Sequence, residues 1–153
     1  TEVRKKLLQD INTALLDANV GPLDLNFIYG KSINGKFIPL DGQQRLTTLF
    51  LVYLFAYRDH DECNFLSNFS YETRNSSKQF FKSLFENRKS FFTETKGPSE
   101  IITDQPWFAD SWQLDPTVQG ALKTFQILLI MSLIMFQYYQ ILVTKNLCLI
   151  SLI

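Results

Sequence analysis

The sequence has few of the residues that most often announce a chemistry. A single histidine, His60, stands among 153 residues, and the two cysteines, Cys63 and Cys148, lie far apart. That excludes a disulfide framework and the Cys/His spacing of a zinc module, and it suggests a reducing, cytoplasmic compartment. Neither sign of charge is in excess, with fifteen basic side chains against fifteen acidic ones. The strong basic footprint that by itself points to nucleic acid is therefore absent, as are acidic and basic tails. No basic stretch leads into an apolar one at the start, so no signal peptide is visible. No internal repeat is visible either.

What the chain does have is aromatic surface. It carries 14 Phe, 6 Tyr and 2 Trp within an apolar content of 46%. So many rings must be buried, which excludes disorder for most of the chain. The length suits one domain. Charge is uneven along it: residues 1–123 hold 29 of the 30 charged side chains, and Lys145 is the one beyond. The expected organisation is a body over 1–123 and an uncharged apolar tail over 124–153. Because the first residue is Thr1, a processed or cropped start is expected.

Val3, Leu7, Leu8, Ile11, Leu15 and Leu16 recur at helical spacing and predict a first helix ending near Asn19–Pro22. Leu25–Tyr29 reads as a short strand. Asn34-Gly35 is a two-residue hairpin signal, Phe37–Leu40 the returning strand, and Pro39 marks an edge or strand end. From Gln43 to Tyr57 the pattern is helical but apolar on nearly all sides, which predicts a buried central helix. Phe69–Tyr71 reads as another strand. Asn75 or Ser76 is expected to cap a helix running to about Arg88, with Phe80, Phe81, Leu84 and Phe85 buried. Asp115-Pro116 places a cap before a proline suited to the first helical position, so a helix is expected to begin there.

The most informative run is Asp41-Gly42-Gln43-Gln44-Arg45, followed by Leu46-Thr47-Thr48. It lies between a short strand and a buried helix, where a helix N-terminus offers unpaired N–H groups to an anion. Gly42 allows a sharp turn and close approach of a ligand. Arg45 can pair with two phosphate oxygens, and Gln43 and Gln44 can donate and accept. Asp41 can ligate a divalent cation or orient a water. The same residues admit a local reading, because Asp41-x-x-Gln44 is also a capping box and Arg45 can simply be solvated.

The run Phe37-Ile-Pro-Leu-Asp-Gly-Gln-Gln-Arg-Leu-Thr-Thr-Leu resembles the signature of the DUF262 family, the N-terminal domain of modification-dependent restriction proteins and related phage-defence proteins. Two further blocks support the resemblance, Phe69-Ser-Tyr-Glu-Thr-Arg-Asn-Ser-Ser and Trp107-Phe-Ala-Asp-Ser-Trp-Gln-Leu-Asp-Pro-Thr-Val. It covers roughly residues 2–125 and implies a fold similar to the ParB and sulfiredoxin superfamily. It also implies nucleotide hydrolysis coupled to DNA restriction. Carried over by position, Gly42, Gln43 and Gln44 would cradle phosphate and Arg45 would neutralise it. Asp41 would act as polar catalyst or metal ligand, and Thr47 and Thr48 are weaker binding candidates. Arg74, in the second block, would reach phosphate or nucleic acid, with a structural ion pair as its alternative. The implied cofactors are a nucleoside triphosphate and a divalent cation, Mg2+ foremost. The implied partners are DNA and a nuclease domain or subunit, since neither a nuclease signature nor the family's upstream Gln-Arg block is present. The chain thus looks like a family fragment truncated at both ends.

Other candidates are weaker. Gly30-Lys31-Ser32 would end a P-loop, but that pattern needs glycine where Leu25 stands. Asp59-His60-Asp61-Glu62-Cys63 contains metal-ligand types, yet neighbours on one loop rarely converge on an ion. Trp107, Phe108 and Trp112 suit core packing better than base stacking. Lys78, Lys82, Arg88 and Lys89 suit a solvated face. The tail from Thr124 to Thr144 has no charge, but Gln126, Ser132, Gln137 and Gln140 interrupt it. An out-of-frame or truncated ending, a buried helix and a membrane span all remain open for it. The expectation is an α+β domain with a small sheet, a central buried helix and a helix-rich C-terminal part. Its expected function is nucleotide binding, with NTP hydrolysis, in DNA restriction. The alternative is a non-catalytic regulatory or interaction module.

Overall fold

The computed structural model describes residues 2–16, 23–24, 27–61, 63–90 and 98–128. Helices dominate, and the sheet among the described residues is a single antiparallel pair of strands, so the domain is α+β as expected. Its described residues fall into two compact units, one up to Leu49 and one over those from Phe50 to 128.

In the first unit, α1 spans Glu2–Leu16 and turns Leu8 and Ile11 inward while Val3 stays exposed. The predicted stop at 19–22 and the start of the predicted 25–29 strand lie outside the described residues. Strands β1 (Gly30–Ile33) and β2 (Lys36–Pro39) pair in the register Gly30↔Pro39, Lys31↔Ile38, Ser32↔Phe37 and Ile33↔Lys36. Asn34 and Gly35 close the hairpin with φ of 51° and 75°. Positive φ at both turn positions matches the right-handed twist of the strands, which is why Asn-Gly works there. The ladder begins later than the apolar run suggests. Residues 27–29 lie outside it, although the N–H groups of Leu40 and Asp41 both donate to the Tyr29 carbonyl.

Helix α2, Gln43–Ala56, runs from the first unit into the second. Leu46, Phe50, Leu51, Val52, Tyr53, Leu54 and Ala56 are all buried, so its lack of a polar face is satisfied by packing. In the second unit a 3₁₀ turn over Asn64–Asn68 precedes α3 (Asn75–Glu86) and the short α4 (Pro98–Thr103). A second 3₁₀ turn, Asp110–Leu114, leads into α5, residues 116–128. Aromatic rings knit this unit together. Phe69 stacks on Phe50 at 4.4 Å, Tyr71 stacks on Phe81 at 5.2 Å, and Phe80 meets Phe108 and Trp112 edge-on. Full burial of one such ring stabilises by roughly 1.5–3 kcal/mol.

Two expectations need correction. Phe69–Tyr71 forms no strand, because the extended Phe69 ends a 3₁₀ turn and its ring and that of Tyr71 pack on Phe81 instead. Helix α3 is not capped by Asn75 or Ser76. Arg74 holds the cap position without a side-chain cap bond, and the Ser76 hydroxyl is donated to Asp115. The start of α5 is as predicted. The Thr117 N–H donates to Asp115 Oδ1 at 2.8 Å, and the Gln119 N–H donates to the Asp115 carbonyl.

Candidate anion site at the Asp41–Arg45 turn

Gly42 occupies the cap position of α2, since its carbonyl accepts the Leu46 N–H at 3.0 Å. Its φ of +84° is the left-handed region, which a residue with a Cβ enters only at a cost. A Cβ there would also stand 2.9 Å from Ile28 Cγ1. Glycine is thus required twice over, by torsion and by the side chain laid across it. The cap position also excludes the local reading of Asp41. Asp41 lies one residue before the cap, so the Asp41–Gln44 capping box does not form. Its carboxylate instead lies 3.5 Å from the Arg45 guanidinium.

Among the described residues the backbone N–H groups of Gln43 and Gln44 meet no acceptor, and both side chains are exposed. Gln43 Nε2 donates to the Pro39 carbonyl at 3.3 Å, tying the end of β2 to the start of α2. Arg45 is more enclosed than the sequence suggested. Its side chain is 20% exposed, and Nη2 donates to the Phe27 carbonyl at 2.9 Å. The open amides expected at this turn are present, but the guanidinium already has partners from the chain. An anion arriving here must share it or take it over. Thr47 and Thr48 do not face the turn: both are buried, and their hydroxyls donate to the Gln43 and Gln44 carbonyls.

Arg74 belongs to the second unit, where its guanidinium lies 3.3 Å from Asp115 Oδ1, the ion-pair alternative. Asp115 is buried and also accepts from the hydroxyls of Ser76 and Ser77. Burial works against its charge, yet the two serines, the Thr117 N–H and Arg74 outweigh burial and hold the carboxyl at about 2. This cluster is the structural feature that sequence reading missed. Asp115 was legible as a cap, but nothing in the spacing links it to serines 38 and 39 positions earlier.

The polar loop after α2 is structural. Lys89 donates to Asp61 at 2.8 Å and holds that carboxyl below its ordinary value, Arg88 donates to the His60 carbonyl, and the buried Cys63 thiol does the same. No cluster of three metal-ligating side chains occurs among the described residues. Asp41 brings a single carboxylate, so a divalent cation at this turn would need phosphate oxygens as its other ligands. Gly30-Lys31-Ser32 lies in β1 and opens no helix, which excludes a P-loop. Phe108 and Trp112 are core residues, and Lys78 and Lys82 pair with Glu72 and Glu86 on the surface of the second unit.

A glycine turn that presents bare amides and an arginine at the start of a buried helix is the candidate site of this α+β domain. Residues 1–149 match the family described as GmrSD restriction endonuclease, N-terminal domain, and the chain belongs to that family, a DUF262-type domain of restriction systems. No individual curated protein and no solved structure matches significantly. No helix among the described residues is long and apolar enough to cross a membrane.

Proposed function

We propose that the Asp41–Arg45 turn binds the phosphates of a nucleoside triphosphate and that this domain couples NTP hydrolysis to DNA restriction. The observation that supports the reading best is the pair of open N–H groups on Gln43 and Gln44, beside Arg45 and behind a left-handed Gly42. The helix N-terminus supplies partial positive charge and the amides supply directed donors. Arg45, now bonded to the Phe27 carbonyl and beside Asp41, would neutralise phosphate, and Asp41 would hold Mg2+ or orient a water. Phosphoryl transfer needs mainly placement and charge neutralisation, which these groups can supply. Thr47 and Thr48 act only by shaping the first turn. Arg74 acts through Asp115 in the second unit.

Calorimetric titration with Mg2+ and each NTP, together with release of inorganic phosphate, tests this reading. The intact chain binds at least one NTP, and Arg45→Ala weakens binding about tenfold or more, the usual size of a lost charged hydrogen bond. Absence of binding by the unaltered chain would contradict the proposal. A second reading, a regulatory module that binds nucleotide without hydrolysis, is favoured by the internal partners of Arg45 and the single carboxylate at the turn. Binding without phosphate release selects it.

A further inference from the structure

Strand residues alternate between faces, and the register of the hairpin assigns them. Phe37 and Pro39 lie on one face and are half-buried. Lys31, Ile33, Lys36 and Ile38 lie on the other. Tyr29 and Leu40, joined by the Leu40 N–H to Tyr29 carbonyl bond, extend that row. All six are exposed, Tyr29 at 61% and Leu40 at 64%. Residues 29–40 contain no acidic side chain, and neither lysine is in an ion pair among the described residues.

We infer that this outer face of the hairpin is the surface by which the domain meets DNA, an inference that rests on its place in a restriction system. The position of the lysines carries the choice of partner. Lys31 sits inside the face, between Tyr29 and Ile33 along its strand and opposite Ile38, and Lys36 sits at its turn end, beside Ile38 and opposite Ile33. A protein surface closing over the face would bury the Lys31 ammonium at its centre, where protein interfaces are depleted in lysine. The same face of a second copy would offer these lysines no acidic side chain to pair with. A polyanion satisfies both lysines at once, and a two-stranded ribbon is narrow enough to enter the major groove. There the lysines hold phosphates, while the apolar side chains contact base edges and thymine methyls.

Fluorescence anisotropy with a duplex of 20 base pairs, at salt from 50 to 300 mM, tests the inference on the intact chain. Each phosphate contact contributes about 0.9 to the slope of log affinity against log salt. Lys31→Ala with Lys36→Ala is expected to lower that slope by about 2 and the low-salt affinity by roughly tenfold or more. Lys31→Arg with Lys36→Arg retains both. Ile38→Ala weakens binding with the slope unchanged. Circular dichroism checks that each variant keeps its fold, and all these positions are exposed. Duplex binding with an unaltered slope in the double alanine variant would place DNA elsewhere. No duplex binding by the unaltered chain also overturns the inference. Nucleotide titration of the same samples reports separately on the Asp41–Arg45 turn.

Discussion

At the residue scale, Gly42 is the position whose identity the backbone dictates. Gly42→Ala forces a Cβ into left-handed torsion and against Ile28. The cost is expected to be about 1–3 kcal/mol in chemical denaturation. Ile28→Ala in the same chain relieves the contact but not the torsion, so partial recovery is expected. Asp115 has a different signature. Its folded carboxyl sits at about 2 against an ordinary 3.8, so the folded state favours the charged form. That stability, about 2 kcal/mol, is fully present above pH 4 and is lost as the pH falls through 2. Thermal melts of the unaltered chain and of Asp115→Asn should converge as the pH falls from 4.5 to 2. Asparagine keeps the cap and loses the charge, so a constant gap between the two would show that the charge adds nothing. Gly42 was legible in the sequence because a glycine between a strand and a helix has few other uses. The partners of Arg45 were not, since a carbonyl 18 residues away leaves no trace in residue type.

At the scale of elements, signals carried by backbone torsion were read correctly. Asn34-Gly35 makes the hairpin turn and Asp115-Pro116 starts α5. The readings that failed depended on tertiary partners. Phe69–Tyr71 alternates as a strand does, but no strand among the described residues lies beside it, and its rings enter the cluster around Phe81. Ser76 has the chemistry of a cap, yet it lies inside the helix, past the cap position that Arg74 holds, and its hydroxyl donates to the buried Asp115 carboxylate. The aromatic rings and the Asp115 carboxylate both hold α3. Phe81→Ala, at a residue 1% exposed, is expected to cost about 3–5 kcal/mol, measured by urea unfolding. A loss under 1 kcal/mol would show that the ring cluster is not the core of the second unit.

At the scale of the whole molecule, the balanced charge gives no general attraction for DNA or nucleotide, so function must come from local placement of charge. The first unit concentrates it, with bare amides and Arg45 at one turn and two lysines on the adjoining hairpin face. The motif over 41–45 and the small sheet were legible because they are local in sequence. The degree to which Arg45 is enclosed was not, because packing decides it. Anion binding at the turn stands or falls on the amides of Gln43 and Gln44. In two-dimensional nitrogen–proton NMR of the intact chain, added Mg2+ and NTP should shift these two resonances first and saturably, and Arg45→Ala should reduce the response. If both amides stay in place while the nucleotide saturates the protein elsewhere, or if nothing moves, the turn is only the start of a helix.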